Sequence, residues 1–340
     1  MVSTLVDPRD EMYRYSVSSL RGNEEAGRRL YFEKGRQIAD AVVQIADRRP
    51  GGRRGVRVLL DFASGYGRAT RYLVESWPAQ DITVCDIQAE GVAFQSKSFG
   101  VVGVASAGDP GGLRFGRRFD MISAVSFFSH VPPSRFEGWV ARLAEFLGHD
   151  GTLVFSTNPL RPRPDVDPVS GVQFEPTSES EVLVGEDYGT TWVSEEYVRA
   201  AAYAAGFASD RVELLPRGLC GHQDLWVLQS GEKLDLGGFA GYPVGDVTHF
   251  DTREGIFHVE GWARDWRPGG RISAIELDAG ERRPRAIVGG LEQDGDVRWR
   301  LDLDLADYDL DELVGIEARN DQGRSNLIAL GSLRPFVEGA

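Results

Sequence analysis

The stretch LLDFASGYGRATRYL, Leu59–Leu73, decides how the chain is read. An apolar run ends in an acid, Asp61, and the chain then turns through Gly65-Tyr66-Gly67. A glycine turn after a strand lets backbone N–H groups approach a ligand closely, and two kinds of ligand fit. A dinucleotide fold asks for G-x-G-x-x-G, with pyrophosphate on the next helix N-terminus. Here Thr70 holds the third glycine position and Asp61 stands four residues before Gly65. A carboxylate there repels a pyrophosphate and suits a ligand with ammonium or sulfonium charge.

Outward from that turn the pattern alternates. VRVLLDF, DITVCD, VVGVA (101–105), FDMISAV (119–125) and HDGTLVFST are apolar runs, with RATRYLVESW a short helix after the first. SRFEGWVARLAEFL (134–147) places Phe136, Trp139, Val140, Leu143 and Leu147 on one helical face, with Ser134 and Glu137 spaced as a capping box. Residues 24–48 read as a helix on Leu30, Ile38, Val42 and Ile45, and 194–207 as another that stops at Gly206. Strands alternating with helices predict a Rossmann-like, mostly parallel α/β sheet. Only RGLCGHQ separates RVELLP from DLWVLQ, too short for a helical crossover, so those last two strands pair antiparallel.

After Gln229 the helical periodicity ends. GEKLDLGGFAGYPVGD reads as a glycine-rich linker. Beyond it Val297, Trp299, Leu301, Leu303 and Leu305 alternate with Arg298, Arg300, Asp302 and Asp304, a period of two. IFHVEGW, RISAIEL, LVGIEAR and NLIALGS are runs of similar length between turns, which predicts a β-sandwich. The expected division is residues 1–232, of which 1–50 form a helical cap, a linker at 233–244, and a β-sandwich at 245–340.

At 340 residues the chain can fill two cores. The net charge of -14 argues against a partner held through nucleic-acid phosphates. Three of the 38 basic residues are lysines, so 35 are arginines, which reads as base composition of the gene and not as function. Cys85 and Cys220 form no metal-ligand spacing and no disulfide framework. MVSTLVDPRDEMYRY has no apolar core behind a basic flank, and no run approaches bilayer length, so a cytoplasmic protein without a transmembrane segment is expected.

The pattern D-x-x-x-G-x-G at Asp61, Gly65 and Gly67 resembles motif I of class I S-adenosylmethionine-dependent methyltransferases. The acid Asp86 closing DITVCD, the segment FDMISAVSFFSHVPP with His130, and the hairpin-ended sheet are also similar to that family. The resemblance covers residues 25–230. It implies S-adenosylmethionine as cofactor, held around Asp61, Ala63, Gly65, Gly67, Asp86, Ile87, Asp109 and Ser126. Asp86 would accept ribose hydroxyls and Asp109 the adenine amino group. Tyr31 and Phe32 resemble the family's cap over the methionine end.

In an open α/β sheet ligands bind outside the carboxyl ends of the strands. Of five histidines, that places His130 and His222 as candidate bases. His222 is the first choice, oriented by Gln223 and Asp224. His130 occupies a place that the family fills with histidine whatever the substrate, so packing beneath the cofactor or capping the helix is its preferred reading, whereas His222 reads equally as a hairpin histidine bonded to backbone. The connection 158–192 is long enough to be a lid, and Tyr188 and Trp192 in DYGTTW are expected to touch the acceptor with Gln223. No metal site is expected. FHVEGWARD loosely resembles β-sandwich modules on bacterial enzymes of surface-glycan assembly, which implies a sugar hydroxyl on a glycan or glycolipid as acceptor. Trp262 or Trp266 would then stack on a sugar, and homodimerisation through this domain is the other role. A small-molecule O-, N- or C-methyltransferase and a non-catalytic cofactor-binding scaffold stay open as alternatives.

Overall fold

The computed structural model describes residues 2–160, 170–177, 180, 183, 185–279, 282–291 and 295–334. The chain divides into two compact units. The first comprises Met1–Arg14, Phe32–Leu219 and Gln223–Phe239; the second comprises Tyr15–Tyr31, Cys220–His222 and Ala240–Ala340.

The first unit is built on a mostly parallel sheet. Its strands are β1 (Leu59–Phe62), β2 (Ile82–Asp86), β3 (Val102–Ala105), β4 (Phe119–Ala124), β5 (Leu147–Pro159), β8 (Val212–Leu219) and β9 (Gln223–Gln229). They lie in the order β3-β2-β1-β4-β5-β9-β8, with β9 antiparallel to both neighbours. β1 is buried at every position because parallel neighbours flank it and both faces are covered. The hairpin that ends the sheet follows from the short link between β8 and β9, as the sequence predicts.

The helices are α1 (Glu11–Ser19), α2 (Glu24–Asp47), α3 (Thr70–Leu73), α4 (Ala89–Phe99), α5 (Pro133–Glu145) and α6 (Glu195–Ala204). α5 buries Phe136, Trp139, Val140 and Leu143, the face its periodicity assigns. Its start differs from expectation. Pro132 is the cap and Pro133 the first helical residue, so Ser134 makes no capping bond and the Ser134/Glu137 capping box does not form. Proline at the first helical position needs no N–H and has its φ preset, which moves the start ahead of the serine. Leu147 belongs to β5 instead of α5. α3 is shorter than RATRYLVESW suggests, because beyond Leu73 the bonds become mixed, with the Glu75 and Ser76 N–H groups going to i−3 carbonyls and that of Trp77 to i−4. At α6 Ser194 caps the Tyr197 N–H.

The connection 158–192 is not a plain loop. β6 (Val172–Glu175) and β7 (Thr190–Val193) pair antiparallel inside it, and β7 joins the end of β5 at Asn158 and Pro159. The acidic run expected at 178–187 falls partly outside the described residues.

The second unit holds two antiparallel sheets. One is β10 (Val244–Arg253), β11 (Ile256–Arg264), β14 (Val297–Asp304) and β13 (Ile287–Leu291); the other is β12 (Ile272–Asp278), β15 (Leu313–Asn320) and β16 (Ser325–Ser332). Phe257, Val259, Trp299 and Leu301 of one sheet share a core with Ile275, Leu277, Ile316 and Ala318 of the other, a β-sandwich. β14 alternates buried and exposed along its whole length. The division between the units falls after Phe239, inside the expected linker 233–244, where Leu234, Leu236, Phe239 and Tyr242 are buried. Within this unit Arg29 pairs with Asp278 at 2.7 Å and Glu317 at 3.1 Å. The buried Asn326 donates from Nδ2 to the carbonyls of Pro243 (2.8 Å) and Cys220 (3.4 Å).

Asn326→Ala leaves those carbonyls without their donor, and the expected cost is about 1–3 kcal/mol. Urea unfolding of the full chain measures it; a loss below about 0.5 kcal/mol, the range of an ordinary surface change, would show that Asn326 holds nothing.

Candidate cofactor and acceptor site

The site grows from the end of β1. Asp61 is 2% exposed and accepts a hydrogen bond from Thr70 Oγ1 at 2.7 Å. Thr70, standing where a dinucleotide loop has glycine, thus serves the acid. Burial pushes the Asp61 carboxyl up to about 6, the Thr70 bond opposes this, and the negative charge of Asp86 adds to it.

Between Asp61 and Thr70 the chain takes a left-handed course at Ala63, Gly65 and Gly67, with φ of 55°, 55° and 80°. The two glycines answer different needs. A Cβ on Gly67 would meet Phe99 Cε2 at 2.5 Å and Gln95 Oε1 at 2.8 Å, whereas a Cβ on Gly65 would meet nothing within 4 Å. Gly67 is demanded by packing, and Gly65 faces open space. From α4, Gln95 Nε2 holds the loop by bonds to Ser64 Oγ and Gly65 O, both at 2.8 Å.

Asp86, at the tip of β2, accepts the Gly65 N–H at 2.7 Å and the Gln88 N–H at 2.8 Å. A carboxylate has about four lone-pair positions, so the side chain retains acceptor capacity. Burial raises its pKa and the backbone donors of Gln88, Gly65 and Ile87 counter the rise. Ile87 beside it is 45% exposed, an apolar surface next to that carboxylate. Asp109 is exposed and caps the turn Pro110–Gly112 through the Gly112 N–H. The acid of Phe119-Asp120 lies at the far edge, where it accepts the Arg57 and Val58 N–H groups.

On the neighbouring strand ends a polar cluster forms. Ser126 has φ 56° and donates its N–H to Ser156 Oγ at 2.7 Å. Gln223 Oε1 accepts from Ser156 Oγ (2.7 Å) and Ser126 Oγ (3.3 Å), while its Nε2 donates to Asn158 Oδ1 at 3.2 Å. Ser156 and Asn158 were missed by sequence reasoning, although their spacing of two along β5 puts them on one face. Asp224 accepts the Arg217 N–H at 2.9 Å, and burial raises its pKa.

His130 is buried. Its Nδ1 lies 2.8 Å from Gly189 O, its carbonyl accepts the Gly189 N–H, and its ring stacks on Tyr188 with centroids 4.8 Å apart at 10°. A carbonyl only accepts, so Nδ1 carries the proton and Nε2 carries the lone pair of the neutral ring. Trp192 lies in β7, partly buried, opposite Asn158. His222 is exposed in the turn Cys220–His222 and belongs to the second unit, apart in that grouping from Gln223 and Asp224.

The glycine loop is faced by the first residues of the chain. The buried Arg71 donates to Gly67 O (3.1 Å), Ser3 O (3.1 Å) and Leu5 O (2.8 Å), and packs on Phe32. Tyr31 is fully buried and belongs to the second unit, whereas Phe32 belongs to the first. No sequence signal marked Arg71 or this arm. Cys85 is buried, which pushes its thiol up to about 12 and keeps it protonated. Among the described residues no group of three His, Cys, Asp or Glu is placed to hold a metal ion, and no helix is long and apolar enough to cross a membrane.

No family model matches the chain, and no curated protein matches it. Solved structures similar to it include PigF with SAH, at 16% identity and TM-score 0.42, covering 66% of this chain and 63% of that one. The Burkholderia thailandensis 1,6-didemethyltoxoflavin-N1-methyltransferase, bound to 1,6-didemethyltoxoflavin and S-adenosylhomocysteine, is 19% identical at TM-score 0.43 over 68% and 94% of the chains. Streptomyces venezuelae DesVI is 19% identical at TM-score 0.43 over 66% and 98%. At these values the likenesses assign no role to any residue of this chain.

The two glycines separate in experiment. Gly67→Ala is expected to destabilise the chain by about 1–3 kcal/mol through overpacking and strain. Gly65→Ala carries only the strain, about 1–2 kcal/mol, and instead obstructs the ligand face. Chemical unfolding beside ligand titration checks both, and equal stability losses would contradict the packing difference.

Proposed function

We propose that this chain is an S-adenosylmethionine-dependent methyltransferase acting on a hydroxyl, in the finer reading a sugar hydroxyl of a glycan or glycolipid. The observation that carries the reading is the pair of buried carboxylates, Asp61 and Asp86, on either side of a glycine loop whose Gly65 faces open space. The residues present fit that cofactor. Asp86 has lone pairs for ribose hydroxyls, Ile87 an apolar face for a base, Ala63 and Ser126 backbone turns at the strand ends, and Asp61 a charge suited to a cation. Asp109 retains one carboxylate oxygen for an amino group. When bound, the cofactor supplies a methyl group on a sulfonium sulfur.

The chain's residues supply the rest. His130 receives the acceptor's proton at Nε2, because Gly189 O fixes the proton on Nδ1. Tyr188 holds the imidazole plane, and Trp192 offers the acceptor a ring. Gln223, locked by Ser126, Ser156 and Asn158, presents a rigid amide. We favour His130 over His222 because His130 stacks on Tyr188 and its Nδ1 is held by Gly189 O. Asp224, committed to the Arg217 N–H, is better suited to shaping the β8–β9 turn than to orienting a base.

Labelled S-adenosylmethionine incubated with sugars, glycolipids, phenols and amines tests the acceptor. Label on sugar hydroxyls supports the glycan reading; label only on non-sugar acceptors replaces it with a small-molecule methyltransferase. His130→Ala is expected to lower turnover about 10²–10⁴-fold with His222→Ala near wild type. The reverse result assigns the base to His222.

Cofactor affinity should also depend on pH. With the Asp61 carboxyl at about 6, a cationic ligand must displace its proton at lower pH. Affinity is therefore expected to rise about tenfold per pH unit up to 6 and then level off. Calorimetry across pH 5–8 reads this, and Asp61→Asn should flatten the profile. An unchanged slope in that variant would assign the dependence to another group.

A further inference from the structure

Glu11 opens α1, and its Oε2 accepts two hydrogen bonds, from Gln88 Nε2 at 3.1 Å and from Ser180 Oγ at 3.0 Å. Both donors lead into the site. The Gln88 N–H donates to Asp86 Oδ1, so Gln88 is part of the loop that shapes that carboxylate. Ser180 Oγ accepts the Leu183 N–H at 3.0 Å, and Leu183 precedes the Gly185–Asp187 turn that lays Tyr188 on His130. That turn is pinned a second time by Arg135 to Asp187 at 2.6 Å.

The segment carrying Glu11 is itself built. Asp10 is buried and caps α1 through the N–H groups of Met12 (3.0 Å) and Tyr13 (3.2 Å), and Arg71 holds the carbonyls of Ser3 and Leu5. The charge of Glu11 reaches the site too: after burial, it is among the influences that raise the Asp86 carboxyl.

We infer that Glu11 is a positioning residue that joins the cofactor side of the site to the acceptor side, tying the Asp86 loop through Gln88 to the connection that carries Tyr188. The inference rests on the cofactor reading above. A charged acceptor shared by two donors holds each more firmly than a neutral one does. Fixing the Asp86 loop therefore fixes one donor of the pair, and the acceptor-side connection loses freedom with it. A coupling of this kind is established only when both sites are shown to bias the same element.

The experiment uses the full chain with S-adenosylhomocysteine as probe, and reads amide hydrogen exchange in peptides spanning 59–67 and 185–193. In the wild type the probe is expected to slow exchange in both, by about fivefold or more at 185–193. Glu11→Ala should keep the slowing at 59–67 and lose it at 185–193. Glu11→Gln, which keeps an acceptor oxygen, should restore it. Should Glu11→Ala fail to fold, Ser180→Ala leaves the N-terminal arm intact and should lose the same slowing. Full slowing at 185–193 in the variant that folds overturns the inference, as does wild type that binds the probe without slowing there. Wild type that does not bind S-adenosylhomocysteine overturns the cofactor reading, and this inference with it.

Discussion

The structure depends on one unfavourable placement, the Asp61 carboxylate at the end of a strand buried on both faces. An acid whose pKa rises from 3.8 to about 6 is destabilising to the folded state once ionised, by about 3 kcal/mol on the scale of one pKa unit per 1.4 kcal/mol. The sign follows from proton counting. Between those values the folded chain holds more proton than the unfolded one, so stability falls as pH rises through about 4 to 6. Thr70 offsets part of the cost with its hydroxyl, and Asp86, one strand away, adds to it. Two like charges buried side by side without a cation are hard to justify as packing. On the proposed reading the ligand's positive charge completes the set, and the glycine loop between the acids exists to admit it.

Most of that frame was legible in the chain. The D-x-x-x-G-x-G spacing and the acid of DITVCD are fixed by strand ends, where position in sequence translates directly into position at the sheet edge. The hairpin was legible because RGLCGHQ is too short to cross a sheet. Other parts were hidden for physical reasons. β6, β7 and β13 are strands of four or five residues, too short for a period of two to stand out in the sequence. The capping box at Ser134 was a spacing match overruled by two adjacent prolines. The stretch Ser3–Leu5 carries no pattern, because Arg71 binds its backbone carbonyls and not its side chains.

The same distinction explains the segment 230–243. Its glycines read as a linker; the division between the units falls inside it, after Phe239, and four of its apolar side chains are buried. The second unit takes in residues from three separate stretches of the chain, Tyr15–Tyr31, Cys220–His222 and Ala240–Ala340. Asn326, holding the Cys220 and Pro243 carbonyls, and Arg29, shared by Asp278 and Glu317, are contacts by which the sandwich organises chain that a domain cut by sequence alone would give to the other unit.

The choice between two histidines turns on what fixes a proton. A partner on one imidazole nitrogen selects the tautomer and so decides which nitrogen can accept a proton. His130 meets that condition through Gly189, and the commitment is doubled by the reverse bond from the Gly189 N–H to the His130 carbonyl. The β6–β7 hairpin is thereby attached to the base itself, since Gly189 directly precedes β7 and Tyr188 covers the ring. On the proposed reading, the residue that takes the proton and the strand beside it are therefore held by one reciprocal pair of hydrogen bonds.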